Sequence, residues 1–158
     1  MAVVSNTSPV MNLAIIGELA VLREQFAQVW IPLAVVDELR LDQPLPGNDA
    51  VRDAIAAGWL MPRATERTDL VTVLRQSLDA GESEAIALAL DIDADWLLLD
   101  ERPARQAALP LGLRVTGVIG VLMKKYANAP TGLEIALTRL EDRAGFYISA
   151  ELRRQVLQ

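Results

Sequence analysis

"ESEAIALALDIDADWLLLDERPARQAAL", residues 82–109, holds a helix, a strand and a second helix in succession. After its first turn the segment 82–92 is apolar almost throughout, as expected of a helix buried on most sides. "DWLLLD", residues 95–100, is a continuous apolar run, the pattern of a strand inside a parallel sheet with both faces covered. "ERPARQAAL", residues 101–109, reads as a further helix, broken early by Pro103. Helix, buried strand and helix together are the building unit of an α/β fold.

The same alternation continues on either side. Residues 2–5 form a strand, "PVMNLAIIG" (9–17) a short helix ending near Gly17, and "ELAVLREQF" (18–26) a second helix with Leu19, Leu22 and Phe26 at helical spacing. "QVWI" (28–31) is a strand, and Pro32 opens a helix through "PLAVVDELR". The segment 43–48, "QPLPGN", is a loop rather than a domain boundary. A helix over 48–58 is closed by Gly58, "WLMP" (59–62) is a short strand or extended segment, and 70–78 is helical. "LRVTG" (113–117) is the fourth strand, followed by a helix over 118–127. Thr131 and Glu134 have capping-box spacing ahead of "LEIALTRLEDR", and a last helix starts near Ser149. Strands separated by helices predict a mostly parallel sheet covered on both faces, within one domain spanning 1–158.

Bulk composition narrows the chemistry. The 158 residues are 52% hydrophobic and contain no cysteine and no histidine. Disulfides, thiol nucleophiles, the usual zinc sites and histidine acid–base catalysis are therefore excluded. Any bound metal has oxygen ligands, which points to Mg²⁺ or Mn²⁺. No apolar stretch approaches the ~20 residues of a membrane span, and Met1 leads directly into a strand, so a soluble cytoplasmic protein is expected. The net charge of −6 argues against a nucleic-acid binder unless carboxylates cluster in a metal site, where bound cations offset them.

In open parallel sheets ligands bind beyond the carboxyl ends of the strands. Asn6 follows the first strand there, and Asp100, with Glu101 beside it, follows "WLLL". Asp37 and Glu38 share the helix after the second strand, and Glu38, beside the inward pair Val35 and Leu39, is favoured. Glu82 and Glu84, two positions apart, face roughly opposite sides of one helix. Glu82 is read as a capping acid and Glu84 as the site acid. Each also has a structural reading, as a cap or a dipole partner, and Asn6 is a plausible cap for the helix that follows it. Oxygen ligands gathered from separate segments suit Mg²⁺ bridging carboxylates and phosphate oxygens.

Taken together, "VVSNTSPVMNLAIIGELAVLREQF", "IPLAVVDELR", "DAGESEAIALAL", "LLLDERPAR" and "LRVTGVIGVLMKK" resemble the PIN-domain family, and within it the VapC-like branch. The resemblance implies a three-layer α/β/α fold with a central, mostly parallel twisted sheet. It also implies a Mg²⁺- or Mn²⁺-dependent endoribonuclease, the toxin of a toxin–antitoxin pair, with a small antitoxin protein and a homodimer as partners. The family's acidic quartet falls on Asn6, Glu38, Glu84 and Asp100, with Glu101 as a neighbour. Ser8 matches the small hydroxyl residue two positions after the first acid. Asn6 departs from the pattern: it keeps an oxygen ligand but loses a unit of charge.

Arg102, Arg105 and Lys124 are candidates for RNA phosphate contacts, although Lys124 and Lys125 also suit the end of a helix on dipole grounds. Trp30, Trp59 and Trp96 read as core or sheet-edge residues. A second function stands beside the nuclease: a catalytically weakened domain that binds RNA or protein. A phospho-receiver domain or an Asp-x-Asp phosphatase is disfavoured, because residues 6–8 contain no acid.

Overall fold

Five strands, all parallel, line up in the order β3-β2-β1-β4-β5 in the computed structural model, which describes residues 1–158. They are β1 (Val3–Ser5), β2 (Val29–Pro32), β3 (Leu60–Arg63), β4 (Trp96–Leu98) and β5 (Val115–Thr116). Ten helices connect and cover them: α1 (Thr7–Ile15), α2 (Ala20–Phe26), α3 (Leu33–Leu39), α4 (Asn48–Ala56) and α5 (Thr68–Leu74), then α6 (Ala80–Asp91), α7 (Arg102–Ala108), α8 (Val118–Lys125), α9 (Pro130–Ala144) and α10 (Ala150–Leu157).

The strands show why the sheet has two covered faces. Side chains alternate along a strand, so Val3 and Leu98 enter the larger core with Leu13, Leu22, Val35, Leu122 and Leu137. Val4, Leu97 and Leu99 enter a second core with Ile86 and Leu88 of α6 and Ala104 and Ala108 of α7. Every one of these residues is fully buried. Burying a Leu side chain is worth about 1.5–3 kcal/mol, which is why "WLLLD" has no polar face to spare.

The three-layer α/β/α expectation holds. Several details differ from the sequence reading, each for a physical reason. "WLMP" is a full strand, making five rather than four. It tolerates Pro62 because β3 is an edge strand, where a missing N–H costs no ladder bond. Pro103 does not break α7 but lies in its first turn, where proline has no partner to lose. Pro32 closes β2 and stands at the N-cap of α3 instead of inside the helix. The Thr131–Glu134 capping box does not form, because α9 begins two residues earlier than that box requires, at Pro130, with Ala129 as N-cap. A capping box forms instead at α6: the Asp79 carboxylate accepts from Glu82 N–H at 2.8 Å, and Glu82 Oε1 accepts from Asp79 N–H at 3.1 Å.

Lys125 has a structural role that dipole arguments miss. Glu18, only 8% exposed in the α1–α2 turn, accepts from Lys125 Nζ and, at 2.6 Å, from the Tyr126 hydroxyl. Donating to the Glu18 carboxylate raises both the Lys125 and the Tyr126 pKa, so this contribution to stability is complete below pH ~10 and lost as pH rises above it. Glu18→Gln is expected to cost about 1–2 kcal/mol, since bonds to charged groups are worth more than neutral ones. Thermal unfolding at pH 7 should show a fall of about 2–8 °C. An unchanged midpoint would remove Glu18 from the account of stability.

Candidate active site at the β1–β4 crevice

The chain visits β2 and β3 on one side of β1 and then crosses to β4 and β5 on the other. The connections therefore diverge between β1 and β4, and the crevice beyond their carboxyl ends is where an open parallel sheet places a ligand. Asn6 and Asp100 stand at its two lips, and Asn6 N–H donates to Leu98 O at 3.0 Å across it.

Asn6 occupies the N-cap position of α1, but its side chain makes no capping hydrogen bond. The residue is 4% exposed, and its Oδ1 is buried without any partner. The capping role considered for Asn6 is therefore not realised. A buried carbonyl oxygen left unpaired costs about 1–3 kcal/mol, so its persistence needs a reason.

Glu38 reaches the same place from α3, whose Val35 and Leu39 point into the core. Its Oε1 accepts from Gly81 N–H at 3.0 Å, and its Oε2 accepts from the Thr7 hydroxyl. Gly81 lies in the first turn of α6, so the positive end of that helix faces Glu38. A Cβ on Gly81 would come within 3.0 Å of both Glu38 Oε2 and Asn6 Oδ1. The glycine thus keeps open a small space between these two oxygens. Gly81→Ala fills it. Helix propensity favours Ala by about 1 kcal/mol, whereas crowding costs about 1–3 kcal/mol, so the net change is a loss of about 0–2 kcal/mol. The expected outcome is a folded protein whose affinity for a divalent cation falls about 10–100-fold, read by metal titration followed by thermal shift. Undiminished affinity would mean that the space has no ligand role.

Asp100 is held from two sides. Its Oδ1 accepts from Val118 N–H at 2.9 Å, at the start of α8, and its Oδ2 accepts from Ser8 Oγ at 3.2 Å. Ser8 Oγ in turn accepts from Asn12 Nδ2 at 3.0 Å, so Ser8 belongs to the site as an orienting group. Burial raises the Asp100 pKa and Glu101 pushes it further. Val118 N–H, the Ser8 hydroxyl and the Arg105 cation pull it back without cancelling the rise. Arg105 is fixed by donating from Nε to Leu99 O at 2.7 Å. Gly117 allows this approach, because a Cβ there would meet both the Asp100 carboxylate and the Arg105 guanidinium closer than 3.0 Å.

The remaining candidates separate. Glu84 is half-buried, and its Oε1 accepts at 3.1 Å from the N–H of Ala34 in the first turn of α3, the helix that carries Glu38. Glu82, at 7% exposure, carries a raised pKa. Burial is the main cause, the Asp79 N–H works against it, and the Asp79 and Glu101 charges add to it. Glu101 is the exposed N-cap of α7 and acts electrostatically on both Glu82 and Asp100. Arg102 and Arg105 line a cleft of about 470 Å³ that opens on Asp100. Lys124 lines a separate pocket beside Trp96 and Gln25. The tryptophans behave as framework: Trp59 is buried, while Trp30 and Trp96 carry Arg63 and Arg114 over their rings at 5.2 and 4.2 Å.

No three acidic side chains converge at metal-ligating distance. A hydrated Mg²⁺ asks for less, since it commonly keeps several waters and takes one or two carboxylates. The donors present are all oxygen, and the orphaned Asn6 Oδ1 beside Glu38 fits that requirement. Sequence reasoning missed Thr7, Gly81 and Gly117, whose roles come from approach distances rather than residue type, and it read Glu82 correctly as a capping acid.

No curated protein sequence matches the chain. A family model described as PIN domain matches residues 2–158. PIN domains are generally nucleases and typically use divalent metals. With its all-parallel sheet and the crevice between β1 and β4, the chain belongs to the PIN-domain family.

Proposed function

We propose that this chain is a Mg²⁺- or Mn²⁺-dependent endoribonuclease of the VapC-like branch, acting in the cytoplasm as a toxin restrained by a small antitoxin protein, and working as a homodimer. The observation that carries the catalytic part is the unpartnered Asn6 Oδ1, held beside Glu38 at the crevice that Asp100 closes from the other side.

Asn6, Glu38 and Asp100 are the residues that would hold the cation, with Glu101 as an outer carboxylate. A bound Mg²⁺ or Mn²⁺ would supply Lewis-acid polarisation of a phosphate oxygen and would lower the pKa of water, so that hydroxide is available as the nucleophile. The chain's own groups do the rest. Ser8 and Val118 N–H fix the Asp100 carboxylate, so little reorganisation accompanies the reaction. Glu84 bonds the first turn of α3 and thereby sets where Glu38 can reach. Arg102 and Arg105 offset the phosphate charge in a protein that is otherwise acidic. Lys124, one helix away, adds to the long-range attraction for RNA.

A binding-module reading is favoured by two facts: the position the family fills with an acid holds neutral Asn6, and no acidic triad converges. A ribonuclease assay on single-stranded RNA with Mg²⁺ and with Mn²⁺ separates the two readings. Cation-dependent cleavage by the wild type supports the nuclease. RNA binding without cleavage supports the module.

A further inference from the structure

We infer that Tyr147 is a base-stacking post for single-stranded RNA, standing on the ridge between two clefts that meet at Asp100. This deepens the nuclease reading and rests on it for the substrate class. Tyr147 is 84% exposed, the most exposed large apolar side chain in the protein. One exposed aromatic residue is ordinary by itself. Its surroundings are not.

Its neighbours in sequence are buried or half-buried. Phe146 packs against the larger core, with its N–H donating to Leu140 O at 3.0 Å, and Ile148 is 6% exposed. Gly145, at φ +64°, ends α9 and leads into residues 146–149, which belong to no helix or strand and bring Phe146 and Tyr147 to the clefts beside Asp100. The ring of Tyr147 is therefore presented outward from a backbone anchored on both sides.

Tyr147 lines the cleft of about 470 Å³ that contains Asp100, Arg102 and Arg105. It also lines a second cleft, of about 420 Å³, that contains Asp100, Glu101 and Ser8. The two clefts share Asp100 and the pair Phe146–Tyr147. Arg102 is exposed and has neither an ion-pair partner nor a hydrogen bond within the chain. An aromatic face, a free guanidinium and a fixed one around a single groove match one nucleotide: a base on the ring and its phosphates on the arginines. A duplex cannot offer that base without unstacking it, so the post selects single strands. This reading also bears on the charge objection, because the cleft of about 470 Å³ carries two arginines against the one Asp100 carboxylate in a protein of net charge −6.

Fluorescence anisotropy of a labelled single-stranded RNA dodecamer, with the full chain in EDTA at low salt, tests this without any cleavage. Tyr147→Ala should bind about 5- to 150-fold more weakly, the range for losing one stacked base, and Tyr147→Phe should stay within about twofold of wild type. Arg102→Ala should reduce the slope of log affinity against log salt by about 0.7, as for one phosphate contact on a single strand. A duplex of the same sequence should be indifferent to Tyr147→Ala. The inference is overturned if Tyr147→Ala binds as wild type does, if the duplex loses as much as the single strand, or if the wild type shows no saturable binding. Binding that depends on Tyr147 in a protein that never cleaves would keep the post and remove the nuclease. Cleavage with no dependence on Tyr147 would do the reverse.

Discussion

Asp100→Asn is expected to abolish cation-dependent RNA cleavage while making the metal-free protein more stable at neutral pH. The two effects have one cause. Asp100 is mostly buried, and at pH 7 its charge is carried against a desolvation cost that Val118 N–H, Ser8 and Arg105 only partly offset. A carboxyl whose folded pKa is raised contributes stability that is fully present below its ordinary value and lost as pH rises through the folded one. Asn keeps the shape and can still accept from Val118 N–H, but it carries no charge to desolvate. Thermal midpoints in EDTA should therefore be higher for the variant at pH 7, and the gap should close toward pH ~4, where Asp is itself protonated. Activity should move the opposite way, losing more than the ~10–100-fold typical of residues that merely orient a ligand. Equal cleavage by variant and wild type would remove Asp100 from the chemistry. A lower midpoint at pH 7 would mean that its hydrogen bonds outweigh its desolvation.

The second large effect is expected at Asn6. Asn6→Asp places a charge beside Glu38 at a site that is almost fully buried. Without metal the two carboxylates repel, and the thermal midpoint in EDTA should fall. With Mg²⁺ or Mn²⁺ the same charge becomes a ligand. A tenfold gain in affinity adds about 1.4 kcal/mol at saturating cation, or about 3–6 °C of extra metal-induced shift. Cleavage should increase with it. If the wild type is inactive and the variant active, the neutral amide is what makes this chain a binding module. If robust wild-type cleavage is unchanged by the extra carboxylate, the module reading fails and Asn6 suffices as an oxygen ligand.

How much of this was legible in the sequence depended on the kind of interaction involved. "DWLLLD" announced a buried parallel strand, because three consecutive leucines leave no face for water, and β4 lies inside the sheet. Asn6, Glu38 and Asp100 were legible through their positions after strands or on an inward-anchored helix. The choice between Glu82 and Glu84 was harder, since helical spacing says only that they diverge. The structure shows that Glu82 does cap α6, as read, yet is also buried and feels Glu101. Glu84, read as the site acid, spends one oxygen on Ala34 N–H. That bond joins α6 to α3 across about fifty residues of sequence, which no local pattern encodes. Gly81 and Gly117 were invisible for the same reason: their value is the absence of a Cβ where side chains from other elements arrive. Thr131 and Glu134 show the converse, a correct local spacing overruled when Pro130 started the helix first.

The most direct test of the central claim, that the β1–β4 crevice is a divalent-cation site for cutting RNA, is one experiment on the wild-type protein. Single-stranded RNA is incubated with the purified protein in EDTA, then with Mg²⁺ or Mn²⁺ restored, and the products are resolved on a denaturing gel. The expected result is no cleavage in EDTA, internal cleavage on restoring either cation, and loss of that cleavage in the Glu38→Gln variant. Cleavage that survives EDTA, or that Glu38→Gln leaves intact, would contradict it.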